Sequence, residues 1–267
     1  MVKVMCEFCV QHGAGKKWYL AAQNYADKLV QSQERRLFIE SVFKDYRKMY
    51  GRQVRIADVA LKIPLVKKYA LMKFNAFFTS DHSGHVVSLE DAVSICGIPG
   101  RVSLVDCPCS KYLFGKDVKK CILFGTTAEI VDNIPEFAPV QDIGAEDAAE
   151  FLKGLDEQGT IHTIWTFKTP YIGVICNCNN RDCVLMHLNQ RYKDLNVIRE
   201  GHEVAVVNKE ICNGCGNCQR ACQFKAVTIN EKKAKINNSC YGCGVCRNFC
   251  PVGAIQLVPR IELELIK

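Results

Sequence analysis

Residues 212–229 read CNGCGNCQRACQFKAVTI, and residues 240–257 read CYGCGVCRNFCPVGAIQL. An offset of 28 lays Cys212, Cys215, Cys218 and Cys222 on Cys240, Cys243, Cys246 and Cys250. The same offset lays Gly214 on Gly242, Gly216 on Gly244 and Ala226 on Ala254, so the segment is an internal repeat. In both halves the spacing is C-x2-C-x2-C-x3-C. Three thiols then share one tight loop, and the fourth follows about one helical turn on. The intervening glycines permit left-handed backbone and a close approach of amide groups to whatever the thiols hold. Zinc ribbons use two C-x2-C pairs far apart, which this run is not.

The repeat resembles the bacterial two-cluster ferredoxin domain over about residues 201–267. That resemblance implies two [4Fe–4S] clusters and a role in low-potential electron transfer. Carried over residue by residue, Cys212, Cys215, Cys218 and Cys250 would hold one cluster. Cys240, Cys243, Cys246 and Cys222 would hold the other, because the fourth cysteine of each run serves the opposite cluster. One position departs from the pattern: Pro251 follows the second run, but Gln223 stands after the first. Proline there mainly fixes the backbone, so a local change of geometry is expected and no loss of a ligand.

Such a domain accounts for about a quarter of the 267 residues, and the chain holds 17 cysteines. The start, MVKVMCEFCVQHGAGKKWYL, lacks the charged, apolar and small-residue regions of a secretion signal. No run reaches the ~18 to 20 apolar residues of a membrane span. Clustered cysteines in such a chain point to metal binding in a reducing cytoplasm rather than to disulfides. Residues 1–75 carry 15 Lys/Arg against 6 Asp/Glu, within a formal net charge of +7. A solvated face is the plainest reading. A redox partner protein is expected to dock on these basic N-terminal helices, and nucleic acid is not the expected partner.

The stretch VICNCNNRDCVL, residues 174–185, puts Cys176 and Cys178 on one side of an extended chain, with Cys183 close behind. Cys107, Cys109 and Cys121 form a second group in DCPCSKYLFGKDVKKCILFG. If the strands leading into each C-x-C are neighbours, six thiols converge at one end of a sheet. The region resembles iron–sulfur-binding proteins of anaerobic microbes, on VDCPCSKY, KCILFG and the segment GTIHTIWTFKTPYIGVICNCNNRDC. It departs at Ser110, where that pattern has a basic residue, and at Asn179 and Asn180, where it has further cysteines. A third iron–sulfur centre, a structural zinc and simply buried thiols are the readings in play. His162 could ligate or donate a proton, although a histidine in a β-run is more often a packed residue. At the N-terminus, Cys6, Cys9 and His12 are spaced to share a metal ion, or belong to a loose end. His82 and His85 are a weaker metal signal. HGAGKK is not a phosphate loop, since Val10 and Lys17 stand where Gly and Ser/Thr are needed.

Periodicity predicts one helix over residues 16–50, stopped by Gly51, and a second that meets Pro64. Ser88 and Asp91 look like a capping box, RVSLVDCPC (residues 101–109) a short strand running into Cys107 and Cys109, and residues 126–142 irregular. A helix over residues 145–159, closed near Gly159, leads into a hairpin around Thr169 and Pro170. The expected fold is α+β: a mainly helical region over 1–100, a Cys-rich metal-binding domain over 101–200 and a two-cluster ferredoxin domain over 201–267. The expected function is electron transfer. The alternatives are a reductase fed by the tail, or a redox-sensing DNA binder using the hairpin as a wing.

Overall fold

Asn24 and Tyr25 decide how the N-terminal part folds. The Asn24 amide donates to the Trp18 carbonyl at 2.8 Å, and the Tyr25 hydroxyl to the Tyr19 carbonyl at 2.6 Å. Side chains thus occupy carbonyls that a helix would use, and the chain runs in short 3-10 turns from Trp18 to Val30. The expected single helix over 16–50 is therefore corrected. Regular helix starts at α1 (Gln33–Lys44), where the Ser32 side chain accepts from the Arg35 amide. It continues through α2 (Tyr46–Ala60), and Gly51 lies inside α2 instead of ending it. Pro64 opens α3 (Pro64–Ser80), a position that tolerates its missing N–H. The structure, a computed structural model, describes residues 17–80, 84–168, 170–192 and 194–261.

The middle of the chain builds one antiparallel sheet. Its elements in chain order are β1 (His85–Val87), α4 (Leu89–Cys96), β2 (Val102–Asp106), α5 (Pro108–Phe114), β3 (Lys119–Phe124) and α6 (Gly125–Asp132). There follow β4 (Gln141–Asp142), α7 (Ala145–Glu157), β5 (Ile161–Thr166), β6 (Ile172–Cys178) and α8 (Val184–Arg191). The strand order is β1-β5-β6-β3-β2-β4. The Ser88 cap of α4 is present, with the Asp91 amide 3.5 Å from its hydroxyl. Residues 126–142 are not wholly irregular, because α6 fills their first half and buries Ala128 and Val131. The β5–β6 hairpin forms as expected, but both strands are interior to the sheet. It cannot project as a DNA-reading wing.

Alternation along the strands gives the sheet two apolar faces. On one, Ile122, Ile164 and Ile175 pack with Ile95 of α4 and Leu152 of α7. On the other, Leu123 and Val174 pack with Ile39 and Phe43 of α1, Val131 of α6 and Met186 of α8. The tail adds β7 (Glu203–Val207), α9 (Asn217–Ala221), β8 (Val227–Asn230), β9 (Lys233–Ile236), α10 (Val245–Asn248) and β10 (Ile255–Pro259). There β7 pairs with β10 and β8 with β9, both antiparallel. Helices and antiparallel strands in this mixture make an α+β fold.

Leu152 is fully buried, whereas Leu65 at the start of α3 is 96% exposed. Leu152→Ala is expected to cost about 2–5 kcal/mol. Leu65→Ala should change stability by no more than about 0.5 kcal/mol. Denaturant unfolding of the two variants under anaerobic conditions measures both.

Candidate metal centres

The tail cysteines are sorted by two cavities. The first is lined by Cys240, Cys243 and Cys246 together with Cys222 from the other run. The second is lined by Cys212, Cys215 and Cys218 together with Cys250. Each cavity thus takes three thiols from one loop and one from the other half of the repeat. The loops are shaped by close backbone approach. A Cβ on Gly214 would lie 2.2 Å from the Lys232 carbonyl oxygen, and one on Gly242 would lie 2.0 Å from that of Glu203. Both glycines also have positive φ, so only glycine fits. The repeated alanines have a function as well. The Ala226 N–H donates to Cys222 Sγ at 3.2 Å, and the Ala254 N–H to Cys250 Sγ at 3.2 Å. Such amide bonds stabilise negative charge on sulfur.

Residues 211–255 match the family model of a 4Fe-4S dicluster domain. No curated protein matches the chain. The chain is therefore an iron–sulfur protein with a ferredoxin-type tail. Four thiols around each cavity fit a cubane in donor type and number.

The tail is fixed to the sheet domain's α4, α7, α8 and the loop between β6 and α8. The Asn248 amide donates to Asp156, and Arg247 pairs with Glu90 at 2.6 Å. Gln223 makes the densest joint. Its side-chain oxygen accepts from the Asn180 N–H at 2.7 Å, while its side-chain amide donates to the Gly159 carbonyl. Its backbone carbonyl accepts from Gln190 at 2.8 Å and from the Asn180 side chain at 3.3 Å. Gln223 and Asn180 are both positions where the sequence departs from the patterns it resembles, and here they meet. This contact is missed by spacing, and the paired departures were its one signal.

The six middle thiols do come together. Cys121 of β3 stands directly across from Cys176 of β6, and Cys178 lies two residues on along the same face. The strands leading to the two C-x-C pairs, expected as neighbours, are not adjacent: β3 lies between β2 and β6 and brings Cys121. Cys107 immediately precedes α5 and Cys183 immediately precedes α8. The sulfur contacts run from Cys176 to Cys121, Cys107, Cys109, Cys183 and Cys178 in turn. All but Cys176, which is half-buried, are buried. The Cys107 sulfur accepts from Cys109 and Cys121, which holds its thiol well below the ordinary value. The two donors are pushed well above it by the same bonds. Around the group, the Tyr46 hydroxyl lies 2.6 Å from Cys109 Sγ and the Thr163 hydroxyl 3.8 Å from Cys178 Sγ. A buried ion pair, Lys120 Nζ to both Asp182 oxygens at 2.8 Å, holds the loop before Cys183 onto β3. Among the described residues, no three His, Cys, Asp or Glu side chains close on a single metal ion.

His162 is not among these groups. It is paired with Asn177, one residue out of phase with Cys176 and Cys178, so it lies on the opposite face of the sheet. Its Nδ1 is 2.6 Å from the Asn177 side-chain oxygen and its Nε2 is 3.8 Å from Asp156. The candidate catalytic role for His162 at the thiols is thereby corrected: the β5–β6 register turns the ring away from them. Cys6, Cys9, His12 and His82 lie outside the described residues. His85 is buried, its ring 4.9 Å from that of His202.

Burial pulls His162 down to about 4 and lifts Asp156 to about 6. A raised carboxyl binds its proton more tightly in the folded state. Its contribution is full below the unfolded value of 3.8 and is lost as pH rises through about 6. His162 has the opposite arm, losing stability as pH falls toward about 4. Because the two groups are in contact, the Asp156→Asn comparison is made in a His162→Gln background, which removes that arm. The double variant should gain about 2–3 kcal/mol relative to its His162→Gln parent between pH 4 and 6. Denaturant unfolding across that range measures it.

Proposed function

We propose that the chain is an electron-transfer protein with two [4Fe–4S] clusters in its tail and a third iron–sulfur centre on the sheet. Cys212, Cys215, Cys218 and Cys250 hold the first, and Cys240, Cys243, Cys246 and Cys222 the second. Cys107, Cys109, Cys121, Cys176, Cys178 and Cys183 supply the third. What carries the reading is the way the two tail cavities each draw three thiols from one loop and the fourth from the other. Bound clusters supply one-electron reduction and oxidation. The protein's part is to hold them apart from water to different degrees and to connect them.

Cys215 is exposed, so the first tail site faces solvent and suits exchange with a partner. Around the second site Tyr241, Cys243 and Phe249 pack against the same apolar cluster that holds the middle thiols. From Cys222 the chain passes covalently to Gln223, then by hydrogen bond to Asn180, which lies between Cys178 and Cys183. This short bonded route supports communication between the tail and the sheet. Six thiols exceed the four of a cubane, so a centre of another nuclearity fits them as well, and a reductase that uses such a centre is the second reading.

Iron, sulfide and EPR after anaerobic purification test the assignment. About twelve irons with three distinguishable signals are expected. About eight irons would confine the clusters to the tail. Cys176→Ser with Cys178→Ser should then remove one signal and spare the tail's. Gln223→Ala should leave iron content unchanged and slow the equilibration of reducing equivalents between the tail and middle signals after rapid mixing with a reductant. An unchanged rate would place the route elsewhere.

A further inference from the structure

The α2–α3 hairpin is packed on one side only. Its inner side is held by Leu61 and Ala70, which are buried against Phe74 and Tyr192. Asn75 bonds the Asp194 carbonyl at 2.9 Å and the Asn196 N–H at 2.8 Å, and Lys67 pairs with Asp194 at 3.2 Å. The outer side is apolar and bare. Ile56, Val59 and Ile63 follow one another at helical spacing, as do Leu65, Tyr69 and Met72, and all are 43% to 96% exposed. Seven of the eleven large hydrophobics exposed among the described residues fall between positions 56 and 72. At the turn Ile63, Pro64, Leu65 and Val66 are exposed in succession, a run that a water-facing turn does not need.

Charge sits on the same element. Residues 46–80 hold eight Lys/Arg and one Asp, a surplus equal to the formal +7 of the whole chain. Lys62, Lys68 and Lys73 are exposed beside the apolar stripes, and Lys73 lies over the Tyr69 ring at 5.6 Å. Two occupants fit a basic apolar surface: an acidic protein and an anionic bilayer. Protein interface cores are depleted of lysine. Lipid interfaces favour it, because its stem lies along acyl chains while the ammonium reaches the headgroups.

We propose that the tip of the α2–α3 hairpin docks the protein on an anionic lipid surface, inserting Leu65 and its neighbours while Lys62, Lys68 and Lys73 meet the phosphate headgroups. The inference is independent of how the clusters are assigned. It concerns surface attachment, and no helix among the described residues is long and apolar enough to cross a membrane.

Flotation of the full-length, cluster-loaded protein with lipid vesicles tests it. Vesicles of phosphatidylcholine with phosphatidylglycerol should carry the protein up the gradient at low salt, and those of phosphatidylcholine alone should not. High salt should weaken the association. Leu65→Asp should abolish it. The combined Lys62→Gln, Lys68→Gln and Lys73→Gln variant should weaken it on the order of 100-fold, at roughly fivefold for each lysine near the surface. These side chains are exposed, and unchanged EPR signals would certify that each variant is folded and loaded. Flotation that Leu65→Asp leaves intact, or that ignores phosphatidylglycerol, would overturn the proposal. Failure of the wild type to float at low salt would overturn it too, leaving an acidic protein as the occupant.

Discussion

The pairing of β3 with β6 is the constraint on which the rest depends. It sets Cys121 opposite Cys176, and with them the side of the sheet to which every thiol must come. A slip of one residue would turn Cys176 and Cys178 to the face packed by α4 and α7, where Asn177 and His162 now lie. The register has wide support. Ile122 and Ile175 pair on one face and are fully buried there, and Leu123 and Val174 pair on the other. The Lys120–Asp182 ion pair also ties the loop carrying Cys183 to the strand carrying Cys121. Removing one partner of so buried a pair would strand a charge, so the loop has little freedom to leave.

The tail depends on that loop in turn. In a free-standing ferredoxin the residue after the fourth cysteine has only to fix its own backbone. Here Gln223 has a second task, and a proline could not perform it. Its side chain spans from Gly159, after α7, to Asn180, before α8. Asn180 gives a backbone and a side-chain donor to that same partner. The neighbouring Asn179 turns the loop by accepting from the Arg181 and Asp182 amides at 2.9 and 3.2 Å. Gln223 and Asn180 are, in three dimensions, one joint between the tail and the sheet.

How much of this was readable follows from the range of each interaction. The tail repeat was legible because its cysteines are close in sequence and its glycines and alanines meet local needs. The hairpin and the Ser88 cap were legible for the same reason. Trp18 to Val30 misled because Asn24 and Tyr25 bond carbonyls that helical periodicity assigns to the helix. Gly51 misled because a glycine within a helix costs only about 1 kcal/mol, which the packing of a neighbouring turn can override. Convergence of the six thiols was suspected from their strands, but the order of those strands is a long-range property. No spacing could reveal that β3 lies between β2 and β6, or that His162 would face away.

The buried thiols also limit what state the middle group can adopt on its own. Six thiolates in mutual contact would repel strongly where water cannot screen them. The protein's answer in the thiol form is to share protons: Cys107 is favoured as the anion because Cys109 and Cys121 donate to it, and the donors then resist ionisation. Further deprotonation needs compensating positive charge, and the nearby Lys120 is already committed to Asp182. A cationic metal group meets that need, releasing protons as it binds. Without such a group the six sulfurs form an open run of hydrogen-bonded thiols from Cys176 to Cys178.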